Sequence, residues 1–261
     1  MKLKQVIELL RTFIVSDFKS KHRGSALGFL WLLLTPCFLL IIYTFVFGVV
    51  FDRSFEKSDN SSIFDYAVGL FVGISIFQIF ANAISGAPQS IISRPNFIKK
   101  IQFPLHILPI SSVFSGVIIA ALNLVICIVL SIYSSNTITW SSLILIPILI
   151  ISSCYAIAIA LFLSALSVYL RDVIQLSSFC NLALMFSSGI FYLPEEIPAP
   201  YYDILKFNPL VHLVDVSRRI ILWNEPINLM LIFYLFILGV LALIISYKCF
   251  NYMKTSFSDA I

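Results

Sequence analysis

The chain has 261 residues, 60% of them apolar and 11% charged, with a mean hydropathy of +1.00 and a formal net charge of +4. Soluble domains carry about 25% charged residues, so this composition excludes a large soluble core and points to a polytopic membrane protein. The surplus of bases does not indicate a nucleic-acid partner, because the charges stand between apolar runs and not along one face.

Residues 1–22 read as an amphipathic helix. Leu3, Ile7, Leu10 and Ile14 share one face, and Lys4, Glu8 and Arg11 another. Such a helix lies in the membrane interface or docks on a partner protein. Glu8 and Arg11 interrupt any h-region, so the segment is not a secretory signal. A basic cluster (Lys19, Lys21, His22, Arg23) then gives way to 28 uncharged residues, 24–51. At about 1.5 Å per residue this run crosses a hydrocarbon core of roughly 30 Å with some tilt.

Further charge-free runs cover 66–93, 101–170, 173–194 and 226–247. The longest holds two helices and breaks at the turn formers Ser134, Ser135, Asn136 and Thr137. The expected fold is all-α, with six transmembrane helices near 28–51, 64–86, 104–132, 141–167, 174–193 and 228–248, in a transmembrane domain of residues 23–261. Six spans put both termini on one side. With the N-terminus inside, 12 of the 17 bases fall on inner segments and nine of the 13 acids on outer ones, which predicts cytoplasmic termini.

Between spans two and three, residues 88–104 are punctuated by Pro88, Pro95 and Pro104. Pro-Asn can open a short helix there, and its bases suit either a docking element for a partner or a solvated loop. The outer region 194–227 predicts one or two short helices dipping into the outer leaflet, with Leu210, Leu213, Val214 and Val216 alternating with polar positions. Arg218 and Arg219 either pair with Asp215 or Glu225 or meet an anionic group in transit.

No G-x-x-x-x-G-K-[ST] is present, so the chain does not bind nucleotide through a P-loop. No charge sits mid-span, which disfavours an ion-coupled carrier. Phe186-Ser187-Ser188-Gly189 lacks the first glycine of a G-x-S-G motif, and no catalytic constellation, metal site or cofactor site is expected. The five cysteines show no C-x-x-C spacing. Span five carries Gln175, Ser177, Ser178, Asn181, Ser187 and Ser188, so it faces protein or a wet conduit. Tyr43, Phe47 and Phe51 recur at four-residue spacing, and Phe191 and Tyr192 end span five at similar depth. These aromatics stack on sugar rings in a passage or form an interfacial belt. Gly69 and Gly73, and the stripe Ala156, Ala160 and Ser164, permit close helix packing within the chain or between two copies.

Several segments resemble the type-2 ABC exporter permeases that move polysaccharides, a group including O-antigen, capsule and teichoic-acid permeases. They are D-F-K-S-K-H-R-G-S-A-L-G-F-L-W-L-L-L-T-P (17–36), Y-T-F-V-F-G (43–48), S-R-P-N-F-I-K-K-I-Q-F-P-L-H-I-L-P-I (93–110), S-V-Y-L-R-D-V (167–173) and F-N-P-L-V-H-L-V-D-V-S-R-R (207–219). His22 stands where a tyrosine is expected, and Thr35-Pro36 replaces Asn-Pro. The O-antigen permeases are the nearest in pattern.

The resemblance implies a homodimer in the bacterial inner membrane, paired with two copies of a separate P-loop ATPase that holds the ATP and magnesium. Residues 1–22 become an interfacial gate helix and 94–103 a coupling helix. ATPase contact then falls to Arg94, Asn96, Phe97, Lys99, Lys100, Arg171 and Asp172. Lys21 and Arg23 would meet the head of a lipid-pyrophosphate-linked glycan at intake. Tyr43, Phe47, Phe51, Phe191 and Tyr192 would line the channel, between spans one and five.

Overall fold

The computed structural model describes residues 3–21, 25, 27–51, 55, 63–98, 103–133 and 140–257. Among them every regular element is helical. Apolar runs in lipid can satisfy their backbone only within themselves, and a helix does so segment by segment. In chain order the α-helices are α1 (Leu3–Lys21), α2 (Trp31–Tyr43), α3 (Ile63–Ile92), α4 (Pro95–Ile98) and α5 (Ile107–Tyr133). They continue as α6 (Leu145–Tyr169), α7 (Val173–Phe186), α8 (Ala199–Leu205), α9 (Pro209–Arg218) and α10 (Leu229–Met253). Among the described residues, four segments are long and apolar enough to cross a membrane: Ile63–Ile92, Ile107–Ile132, Ser142–Tyr169 and Leu229–Ser256. Leu34–Val50 and Val173–Phe186 are shorter apolar helices.

α3 is the hub, packed on α5, α6, α7 and α9 and on the π-helical turn Thr44–Val50 that extends α2. Its glycines make this possible. A Cβ on Gly69 would lie 2.7 Å from the Phe55 ring and 3.0 Å from Leu222, and one on Gly73 would meet Ile190 and Val214 at 3.3 Å. Ala156, Ala160 and Ser164 are fully buried on α6. Both small-residue motifs therefore pack within the chain.

The expected helix 64–86 runs on to Ile92 through Pro88, whose carbonyl accepts from the Ser167 hydroxyl at 2.8 Å. The expected helix 174–193 is cut short. α7 ends at Phe186, and Gly189 turns the chain at φ +70. Ser187 and Ser188 offer their own hydrogen bonds to the backbone, and only glycine adopts a left-handed φ without cost. The expected break at 134–137 lies outside the described residues.

α1 and the C-terminal part of α10 with the turn after it gather at one end of the bundle. Phe13 of α1 and Phe97 of α4 pack against an apolar cluster that holds Ile91, Leu161, Phe250 and Phe257. α1 therefore docks on its own chain, along α5, with Phe18 buried. Ile7 and Val15 stay exposed, so the apolar surface of α1 is wider than its docked stripe.

At the other end lie α8, α9 and a second π-helical turn, Arg219–Trp223. The sequence cues here are local. Asn208 caps α9 by accepting from the Leu210 amide at 3.1 Å, with Pro209 in the first turn where its missing N–H costs nothing. Asn228 caps α10, accepting from Met230 at 3.0 Å and Leu231 at 3.3 Å. Asn224, at φ +50, ends the π-turn between them.

Candidate functional site

Two side-chain clusters and one buried arginine carry the site. The first cluster is an aromatic wall. After Tyr43 the helix widens into the π-turn Thr44–Val50, closed by the Phe51 amide on the Val46 carbonyl at 3.1 Å. π-turns of this kind recur at functional sites. Phe47 lies between its neighbours, with ring centres 6.3 Å from Tyr43 and 5.9 Å from Phe51, the latter pair stacked. The turn after α7 brings Phe191 onto this face. Its ring is edge-on to Tyr43 at 5.3 Å and 4.6 Å from Phe47.

Phe186 joins from the end of α7, 5.4 Å from Phe191. Its part in the wall depends on the chain folding back at Gly189, which helical spacing alone does not reveal. Such ring pairs are each worth about 0.5–1.5 kcal/mol beyond their buried area. Phe191 is 8% exposed, whereas Phe51 is 63% and Phe186 50% exposed, so the wall is anchored at its centre and open at its edges. Tyr192 packs with Tyr43 and Phe47 against the buried cluster that holds Phe191, and its hydroxyl donates to the Phe186 carbonyl at 2.6 Å, which fixes the turn.

Arg218 holds the same turn from behind. Fully buried, it donates to the carbonyls of Gly189 (3.0 Å), Ile190 (2.8 Å), Tyr192 (3.3 Å) and Gly69 (3.4 Å). Its guanidinium carbon lies 4.1 Å above the centre of the Phe55 ring. Burial pushes its pKa down to about 10, so it keeps its charge at neutral pH. Arg219, next in the chain, takes the expected pairing. It donates to Asp215 and Glu225 at 2.7 Å each, and also to Glu195. Burial opposes the Arg219 charge, but the bond and charge of Asp215, then those of Glu195, hold it above the usual arginine range. Asp215 is deeper, and desolvation raises its carboxyl despite Arg219.

The second cluster sits at the end that gathers α1 and the turn after α10. Phe13, Phe97 and Phe103 form a triangle of rings at 5.7, 5.8 and 4.6 Å, with Arg94 5.1 Å over Phe13. α4 is a single turn opened by Pro95 and tied to α1 through these rings. Arg171 and Asp172 lie exposed in the turn between α6 and α7, at this same end. The side chains of Lys21 and Asn96, and Arg23, Lys99 and Lys100 entirely, lie outside the described residues. The polar face of α7 reaches α3 through Asn181, which donates to the Ser85 hydroxyl at 2.5 Å.

An O-antigen export system permease protein RfbA of Klebsiella pneumoniae is 26% identical over 264 residues, covering 99% of this chain and 97% of the relative. The protein of the same name from Myxococcus xanthus is 25% identical over 221 residues, 84% of this chain and 82% of the relative. The polysialic acid transport protein KpsM of Escherichia coli is 23% identical over 223 residues, 82% of this chain and 81% of the relative. Residues 8–222 match the family model described as ABC-2 type transporter, and the chain belongs to that family.

Proposed function

We propose that this chain is the membrane permease subunit of an ABC exporter that moves a lipid-linked polysaccharide, O-antigen, out of the cytoplasm. The observation that carries this is the end-to-end similarity to O-antigen export permeases, in a chain that presents an aromatic wall. In this reading two copies form the conduit, and ATP hydrolysis belongs to a separate P-loop subunit. Six crossings, with both termini cytoplasmic, are supported by the clustering of α1 and the C-terminal turn at one end and by the distribution of bases. α4, with Arg94, Asn96, Phe97, Lys99 and Lys100, would then meet the ATPase, with Arg171 and Asp172 beside it. Lys21 and Arg23 would meet the pyrophosphate head. The arm holding α8 and α9 would dip into the outer leaflet. Similarity to the polysialic acid transport protein favours a capsule glycan as the second cargo class.

The exporter reading is tested by purification. An ATPase with a P-loop is expected to co-purify with the tagged chain from its native membrane, and a chain that emerges alone would sink the reading. The wall has its own test. With Tyr43, Phe47 and Phe191 all changed to alanine, surface glycan is expected to fall at least tenfold while the ATPase still associates. Normal surface glycan in that triple variant would reduce these rings to an interfacial belt.

A further inference from the structure

α3 carries a polar stripe that the aromatic wall does not use. Gln78, Asn82, Ser85 and Gln89 recur at three- and four-residue spacing, so they share one face of a mostly apolar helix. Together with Ser111 and Ser112 of α5 and Asp17 of α1, that face walls a cavity of about 430 Å³, with Arg94 also on its wall. Gly86 lets the two helices close on each other there, because a Cβ on it would lie 3.1 Å from that of Ser112. The volume falls within the roughly 300–1,000 Å³ of small-molecule sites. In a bilayer such a stripe is costly unless something polar fills the space.

The hydroxyl hydrogens decide what fits. Ser90 donates to the Ala87 carbonyl at 2.7 Å, Ser111 to Leu108 at 2.7 Å and Ser112 to Pro109 at 2.8 Å. Each hydrogen is committed within its own helix, so these hydroxyls turn oxygen lone pairs to the cavity. Asp17 is likewise an acceptor when ionised. Arg94 brings one positive charge to balance it, with its guanidinium held over Phe13. Gln78, Asn82 and Gln89 add side-chain amides that both donate and accept. A wall of mixed donors and acceptors with one charge of each sign suits an uncharged ligand whose hydroxyls do both. A diphosphate brings further acceptors and negative charge, and it would leave those lone pairs unmatched.

We infer that this cavity is a second sugar subsite, in which a neutral pyranose unit donates its hydroxyls to Ser90, Ser111 and Ser112. The inference rests on the glycan-export reading. It adds a place where a neutral ring is held apart from both the aromatic wall and the diphosphate-linked end.

The test uses the full chain in phosphatidylcholine nanodiscs, with neutral trisaccharides of mannose, galactose or rhamnose as probes and saturation-transfer NMR as the readout. At least one trisaccharide is expected to give a titratable signal, undiminished by an equal concentration of inorganic pyrophosphate. Ser111→Ala/Ser112→Ala together are expected to weaken that binding at least tenfold. Ser90→Ala, on α3, is expected to weaken it in a separate variant should the double variant fold poorly. No signal from any trisaccharide, a signal untouched by either variant, or displacement by pyrophosphate would overturn the subsite. If the wild-type chain still co-purifies with its ATPase in that case, the subsite alone fails. Loss of the ATPase removes the export reading itself.

Discussion

Arg218→Met is expected to lower the melting temperature of the detergent-solubilised chain by on the order of 10 °C, the largest stability loss at any single position of the arm. The side chain is fully buried, and its nitrogens serve four backbone carbonyls: three on the turn after α7 and one on α3. Methionine fills the volume but takes the donors away from the three turn carbonyls in a dry site, at about 1–3 kcal/mol for each buried group left unsatisfied, while the Gly69 carbonyl keeps its bond within α3. It also loses the contact with the Phe55 ring, worth about 2 kcal/mol when desolvated.

Arg218→Lys is expected to recover only part of the loss. A lysine ammonium is a point charge and cannot span carbonyls on two elements with a planar fork. Arg219→Ala should cost far less, since that side chain is 25% exposed and its carboxylate partners are partly solvated. Because the turn at Gly189 presents Phe191 to the aromatic wall, the methionine variant should also lose surface glycan. A melting temperature within about 2 °C of wild type would show that the carbonyls find other donors.

The contrast between these two arginines marks where the sequence is legible and where it is not. Long uncharged runs dictate helices in lipid, so the main helices could be placed from hydropathy and turn formers alone. The pairing of Arg219 with Asp215 is equally local, one turn back along α9. Arg218 is different. Successive residues on a helix point about 100° apart, so one of two adjacent arginines faces its own element's carboxylates and the other faces the neighbouring helix. What it meets there is backbone carbonyl, which no side-chain pattern announces.

The premature end of α7 has the same cause. Apolar periodicity continues to Leu193, but Gly189 folds the chain back, and only that fold places Phe186 and Phe191 beside Phe47. For α1 the amphipathic pattern was clear but ambiguous, because an apolar stripe reads alike whether lipid, a partner or the chain's own α5 covers it. The stripe on α3 was present in the sequence at helical spacing. Its meaning lies in hydroxyl hydrogens already committed to their own helices, which only the folded helices bring about.

Replacing residues 96–100 with a Gly/Ser segment is expected to abolish glycan export, by at least a hundredfold, while the chain still inserts into the membrane. The reason lies in what α4 touches. Phe97 packs 4.6 Å from Phe103, ahead of α5, and 5.7 Å from Phe13 on α1, and Arg94 caps the Phe13 ring. A push on α4 therefore reaches α1 and the start of α5 through rings in van der Waals contact. Glycine and serine keep the connection between α3 and α5 but give it no rigid element and no ring with which to transmit force. The partner ATPase is expected to hydrolyse ATP at a basal rate that no longer responds to export. Phe13→Ala separates transmission from docking, since Phe13 lies on α1, outside the 94–103 segment. It should uncouple export from hydrolysis with the ATPase still bound. Transport-linked ATPase activity that survives the 96–100 replacement would rule out α4 as the coupling element. Retained coupling in Phe13→Ala would confine transmission to α5.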